Sequence, residues 1–362
     1  MKLVSLVGLV YWALSSSVVL ARQSSCSGSS SSIDDGPFPA DLNGSNFTYP
    51  WPVKVYRFTS QNQELEMAFM DLPPRIGRPS CPPTASPKTA VLLHGKNFCG
   101  PTWWETATNL SAVGYRVIVP DQVGFCKSSK PDRYQFSLQQ LALNTRGLLS
   151  ALSIDPASTN VTVIGHSMGG MLAARFTLMY PETVSELAMV DPIGLEDWKA
   201  LGVPYIAIDS SYVTEHASNY SSIRGYEQST YYVGSWSPTY DVWVNMLVNI
   251  YQGSKGVQYA WNQALIVDMV LTQPVVYEFG LLKPHGGRTL LVVGDKDTTA
   301  IGKQWSPPAV QAKLGHYDVL GKQAAAVIPN CTLVEFPGLG HAPQIQDAKG
   351  FHAALLGWLS SN

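Results

Sequence analysis

Val161-Thr162-Val163-Ile164-Gly165-His166-Ser167-Met168-Gly169-Gly170 is the stretch that decides the fold. Its first four residues are apolar or β-branched and read as a strand buried on both faces. Met171-Leu172-Ala173-Ala174-Arg175 beyond it are helix formers. The G-x-S-x-G between them is a strand turning sharply into a helix, with glycines two residues either side of Ser167 leaving room for neighbouring backbone. The serine then sits at a strained corner on a helix N-terminus, where the dipole favours developing negative charge. The bland alternative is a tight βα turn carrying an incidental serine.

Outward from this stretch, short apolar runs at 90–93, 115–119, 161–164, 187–190, 289–293 and 332–336 alternate with helical stretches. Runs of this length fit buried parallel strands covered by helices on both faces. Ser137 with Gln140 three residues on reads as a capping box opening a helix that ends near Leu152. Upstream, 53–60 and 64–72 read as two strands joined by the polar Gln61-Asn62-Gln63. The expected fold is α/β, a doubly wound and mostly parallel sheet. After the sixth of these strands, ending at Val190, about a hundred residues pass before the next, far more than a crossover needs. Residues 198–285 hold fifteen of the 38 aromatic residues. A helical cap is therefore expected over 196–286, inserted between core segments 46–195 and 287–362, with most of its aromatics forming its own core and its seam with the sheet domain.

A nucleophilic serine needs a base within reach. His341, in Pro337-Gly338-Leu339-Gly340-His341-Ala342-Pro343 directly after the last strand, opens on the same sheet edge as Ser167, because parallel strands present their C-terminal ends together. His94 and His166 flank the other loops of that edge and read as backbone supports. The acid should follow the preceding strand, where Gly294-Asp295-Lys296-Asp297 offers two aspartates. Asp297 lies further out and can curl toward the imidazole, Asp295 reads as a turn cap, and Asp191 after an earlier strand is a third candidate. The order Ser, Asp, His fits this arrangement. Oxyanion donors are expected from the N–H groups of Met168 and of Lys96 in Leu93-His94-Gly95-Lys96-Asn97, with the Lys96 side chain in solvent.

Composition fits a globular chain of 362 residues, 45% hydrophobic and 14% charged, with net charge -2. Without a Lys/Arg cluster, nucleic acid is not an expected partner. Lys2, an apolar run over 3–20 and the small residues Val19 and Ala21 read as a signal peptide over 1–21, cleaved before Arg22. The rival reading, a membrane anchor, is interrupted by Ser15-Ser16-Ser17, so a stable anchor is not expected. Residues 22–45 are expected to be a flexible leader, since 22–41, rich in Ser, Gly and Pro, cannot bury enough apolar surface to order themselves. Sequons at Asn43, Asn46, Asn109, Asn160, Asn219 and Asn330 add to an expectation of secretion and glycosylation. Asn160 and Asn330 stand at strand entrances, where a glycan is harder to place. Of five cysteines, Cys99 and Cys126 follow neighbouring strands and are the best disulfide candidates, and Cys26, Cys81 and Cys331 remain. No C-x-x-C pair or H-E-x-x-H helix points to a metal.

These residues together resemble the α/β-hydrolase superfamily, and more closely its lidded branch of epoxide hydrolases, haloalkane dehalogenases, cofactor-free haloperoxidases, C–C hydrolases and small esterases. The likeness runs from Val53 to the C-terminus. It includes Leu93-His94-Gly95, 120–129, the Ser167 turn, 294–297 and Gly340-His341-Ala342-Pro343. It implies cofactor-free hydrolysis of a small, apolar ester-like substrate by Ser167, His341 and Asp297. Epoxide hydrolases and dehalogenases use aspartate where this chain has Ser167, which disfavours those two activities. Cys126 stands where many relatives have glycine. The function expected is a secreted serine hydrolase acting on a carboxylester or lactone. C–C hydrolysis or perhydrolysis on the same residues is the alternative, and a non-catalytic binding module is a third.

Overall fold

The computed structural model describes residues 31–75, 88–154 and 161–361. The expected signal peptide, Cys26, Cys81 and Asn160 lie outside them. Among the described residues one sheet contains β1 (Ser32–Asp34), β2 (Val53–Ser60), β3 (Gln63–Leu72), β4 (Thr89–Leu93), β5 (Arg116–Pro120), β6 (Val161–His166), β7 (Val184–Val190), β8 (Arg288–Gly294) and β9 (Cys331–Phe336). Their spatial order is β1-β2-β3-β5-β4-β6-β7-β8-β9. The pairs β1/β2, β2/β3 and β3/β5 are antiparallel, and every pair from β5 to β9 is parallel. The expected strands are all present.

Eleven α-helices are described: α1 (Trp104–Ala112), α2 (Leu138–Ala151), α3 (Met168–Met179), α4 (Ile208–His216), α5 (Tyr220–Thr230), α6 (Asp241–Tyr251), α7 (Gly256–Thr272), α8 (Pro308–Gln311), α9 (Tyr317–Val327), α10 (Pro343–Gln346) and α11 (Ala348–Ser360). Because successive strand residues point to opposite faces, one set of core side chains divides into two. Val91, Val163, Leu187, Leu291 and Val293 pack with α2 and α3 residues such as Leu141, Leu148, Leu172 and Phe176. Leu92, Ile164, Val190, Leu290 and Val292 pack on the other face with Leu110 of α1 and with Phe351 and Leu355 of α11. At roughly 1.5–3 kcal/mol per fully buried large apolar side chain, these two layers dominate the stabilisation of the sheet. The capping box read at Ser137 is half realised: Ser137 Oγ accepts from the Gln140 N–H, while the Gln140 amide turns to Asn144.

Between β7 and β8 lie α4, α5, α6 and α7. Tyr231, Tyr232, Trp243 and Tyr259 of this segment are buried. Tyr232 stacks on Tyr240 with ring centroids 3.8 Å apart, and Trp236 packs edge-on against both. These aromatics pack on one another.

The flexible leader expected over 22–45 is corrected from Ser32 on. β1 pairs with β2, Leu42 is buried, and Lys127 Nζ donates to the carbonyls of Ala40 (3.0 Å) and Ser45 (2.5 Å). The buried Lys130 Nζ donates to Asn43 O at 2.7 Å and also to the carbonyls of Cys126 and Ser128. The arm is ordered by its carbonyls, which apolar content does not register. Asn43 is held in the same cluster, its Nδ2 donating to Glu66 Oε2 (3.0 Å) and Lys127 O (2.9 Å), so a glycan on that nitrogen would break at least one bond. Asn109 lies part-buried on α1, whereas Asn46, Asn219 and Asn330 are exposed.

Candidate active site

Close packing shapes the turn after β6. A Cβ on Gly165 would lie 2.0 Å from Gly169 O, and one on Gly169 would lie 2.1 Å from Leu93 O. Only hydrogen fits at either place, so β6, β4 and the start of α3 can come together. Ser167 takes φ 57°, an uncommon and costly conformation for serine. It is held there by its N–H, which donates to Val190 O at 3.1 Å. The strained corner aims Oγ at the imidazole of His341, 2.8 Å from Nε2.

His341 Nδ1 lies 2.6 Å from Asp297 Oδ2, and Asp297 Oδ1 accepts from the Thr299 N–H at 2.8 Å. All three side chains are buried. Asp295 is elsewhere, accepting from the Gly338 N–H at 2.6 Å and so bracing the loop that carries His341. With Nδ1–H given to the carboxylate, Nε2 is left as an acceptor for the serine proton. That arrangement can generate an alkoxide and stabilise the imidazolium that results.

Facing the serine is the loop after β4. A Cβ on Gly95 would lie 2.9 Å from Ser167 Cβ and 3.4 Å from Oγ, so the backbone leading to Lys96 lies against Ser167. Met168 begins α3, where the first N–H groups have no partner within the helix. Two supports were not assigned a contact in advance. His94 Nδ1–H donates to Gly95 O (2.9 Å) while its Nε2 accepts from the Gln122 N–H (3.1 Å). His166 Nε2–H donates to the main-chain carbonyl of His341 at 2.7 Å, clasping the serine turn to the loop that carries His341. Burial lowers both imidazoles' affinity for a second proton, which keeps them neutral in these roles.

The Lys96 side chain is mostly buried, with 12% of it exposed, instead of extending into solvent. Its Nζ pairs with Glu215 Oε1 of α4 at 2.7 Å, and the Tyr251 hydroxyl donates to Glu215 Oε2. This chain of groups lies beside a cavity of about 390 Å³, lined further by Ile223, Ile301 and Trp305. Tyr231 covers His341, with ring centroids 4.8 Å apart, and its hydroxyl accepts from Asn97 Nδ2 at 3.0 Å. The aromatic density of the segment was the available signal for these contacts, but the partners are 119 and 134 residues apart in sequence. Cys99 and Cys126 form the expected disulfide, Cα atoms 5.8 Å apart, joining the loops after β4 and β5.

A family model described as alpha/beta hydrolase fold matches residues 89–221. The crystal structure of a probable hydrolytic enzyme from Pseudomonas aeruginosa PAO1 superposes with a TM-score of 0.81 at 51% identity, covering 87% of this chain and 96% of that one. Among curated proteins, the 2-hydroxy-6-oxo-6-phenylhexa-2,4-dienoate hydrolase of Burkholderia cepacia is 36% identical over 114 residues, 30% of this chain and 37% of that protein. Lipase 3 of a Moraxella species is 24% identical over 259 residues, covering 72% and 73%. The chain spans only 29% to 37% of the length of the first curated relatives it matches. This chain belongs to the alpha/beta hydrolase fold family. A lipase and a 2-hydroxy-6-oxo-6-phenylhexa-2,4-dienoate hydrolase are thus among the proteins it is similar to.

Proposed function

We propose that this protein is a secreted serine hydrolase that cleaves a carboxylester or lactone through an acyl-enzyme on Ser167. One observation carries the reading: the continuous chain Ser167 Oγ, His341 Nε2, His341 Nδ1, Asp297 Oδ2, with steps of 2.8 and 2.6 Å. His341 takes the serine proton, and Oγ attacks the carbonyl carbon. The N–H groups of Lys96 and Met168 hold the oxyanion, worth about 3 kcal/mol for each donor. His341 then protonates the leaving alcohol, and water clears the acyl group with His341 again as base. The largely apolar cavity beside Lys96 suits an apolar ester. Ser167→Ala is expected to abolish p-nitrophenyl ester turnover and labelling by a fluorophosphonate while leaving the thermal unfolding midpoint close to wild type. Turnover or labelling that survives the substitution would refute the assignment.

Secretion is supported by the apolar N-terminal run before Arg22 and by the Cys99–Cys126 disulfide, a bond that persists in oxidising compartments. Expression of the full chain in a secreting host should give medium protein beginning at Arg22, with glycan on exposed sequons such as Asn46. Cell-retained protein with residues 1–21 intact would count against it. C–C hydrolysis on the same three residues is a second reading, favoured by the match to the Burkholderia enzyme. Parallel kinetics on esters and on vinylogous diketones separates the two.

A further inference from the structure

Asp191 lies at the end of β7, fully buried, beside the residues assigned to catalysis. Its carboxylate, that of Asp297 and a ring nitrogen of His341 all lie within 4.8 Å of one another. Asp191 Oδ1 accepts from the Gly294 N–H at 2.8 Å, and Oδ2 meets no N–H or O–H donor among the described residues. The Asp191 carboxylate has the other carboxylate within 4.8 Å. Two carboxylate oxygens attract only if one carries a proton, and two buried negative charges at this separation repel strongly.

The surroundings decide which carboxyl holds that proton. Asp297 receives two donors, the Thr299 N–H and the His341 ring N–H, and both favour its charge. Asp191 receives one. Among the tyrosines near this pair, Tyr226 and Tyr231 lie toward Asp297, while Tyr317, near both, gives its hydroxyl to Pro192 O at 3.1 Å and adds no donor to Asp191. Asp191 has φ 37°, a left-handed conformation that aspartate, asparagine and glycine adopt more readily than other residues, so variants at this position are compared among those three.

We propose that Asp191 is a positioning residue which stays protonated at neutral pH and donates from Oδ2 to Asp297, fixing the carboxylate that orients His341. The assignment rests on the Ser167 reading above. Burial together with the Asp297 charge shifts Asp191 well above the usual carboxylate range, in agreement. Asp297 thereby gains a third donor that fixes its orientation, and His341 keeps the tautomer that leaves Nε2 free.

Infrared spectroscopy of 13C-aspartate-labelled, otherwise unaltered enzyme tests the proton directly. A buried protonated carboxylic-acid band that shifts with the label is expected at pH 7 and should vanish in Asp191→Asn. Aspartate labelling separates it from any glutamic acid. In kinetics, Asp191→Gly, which has no side-chain donor and takes φ 37° without strain, should lose about tenfold in kcat, the worth of one hydrogen bond of about 1.4 kcal/mol. Asp191→Asn, whose amide can donate from the same place, should recover most of that loss and keep the acid limb of kcat/KM where wild type has it. No labelled acid band, or an acid limb displaced downward in Asp191→Asn as removal of a full negative charge requires, would overturn the proposal. The spectrum does not depend on turnover, so a failed Ser167 assignment would show in Ser167→Ala kinetics while leaving the band in place.

Discussion

Gly95 concentrates the steric demands of the site in one hydrogen atom. With a Cβ there only 2.9 Å from Ser167 Cβ, even alanine must push the loop or Ser167 aside. Displacing oxyanion donors or nucleophile by about 1 Å costs on the order of 100-fold in rate. Gly95→Ala should therefore lower kcat by about that much, with KM changed far less. A kcat near wild type would mean that the loop after β4 gives way without disturbing the reacting atoms. This scale was largely legible in the sequence where the chemistry is local. The Ser167 turn, the Asp297 stretch and the His341 loop each announce themselves within ten residues. The pairing of Lys96 with Glu215 and the partnership of Asp191 with Asp297 were not legible, because each joins residues about a hundred apart and depends on side-chain directions.

Among elements, α5 carries an unusual load. Glu227 is fully buried, neither carboxyl oxygen meets a donor among the described residues, and burial pushes its pKa up to about 8 from an ordinary 4.5. Its titratable neighbours Tyr226, Tyr231 and Tyr232 are themselves raised and stay neutral there. A carboxyl held above its unfolded value favours the folded state below pH 4.5, and that contribution is lost as pH rises through about 8. Unfolding free energy should fall by a few kcal/mol over this window from Glu227 alone. Glu227→Gln should flatten the decline relative to wild type, as read from urea unfolding at a series of pH values. Parallel curves for the two proteins would assign the titration to other groups. Because Tyr231 follows α5 and lies on His341, loosening here should reach catalysis before the sheet melts.

For the molecule as a whole, the parallel sheet was readable from alternating apolar runs because buried strands impose their composition wherever they occur. The arm from Ser32 to Ser45 was not, since its order comes from lysines far along the chain that reach its carbonyls. The Cys99–Cys126 bond acts at the same scale, cross-linking the loops of two adjacent strands across 27 residues. Removing it as Cys99→Ala/Cys126→Ala should cost about 2–4 kcal/mol in unfolding free energy. Both cysteines are fully buried, so a mild reductant should leave the native protein oxidised and open the bond only when denaturant is added. Rapid reduction without denaturant would show that these loops open freely in the native state.

The clasp from His166 grips the main chain of residue 341, and its own side chain is not needed for that grip. Truncation as His341→Ala should thus leave the loop in place and open a vacant slot walled by Tyr231, Tyr317 and Asp297. Free imidazole added to that variant has a site shaped for it, and the missing base becomes a soluble reagent whose concentration sets the rate.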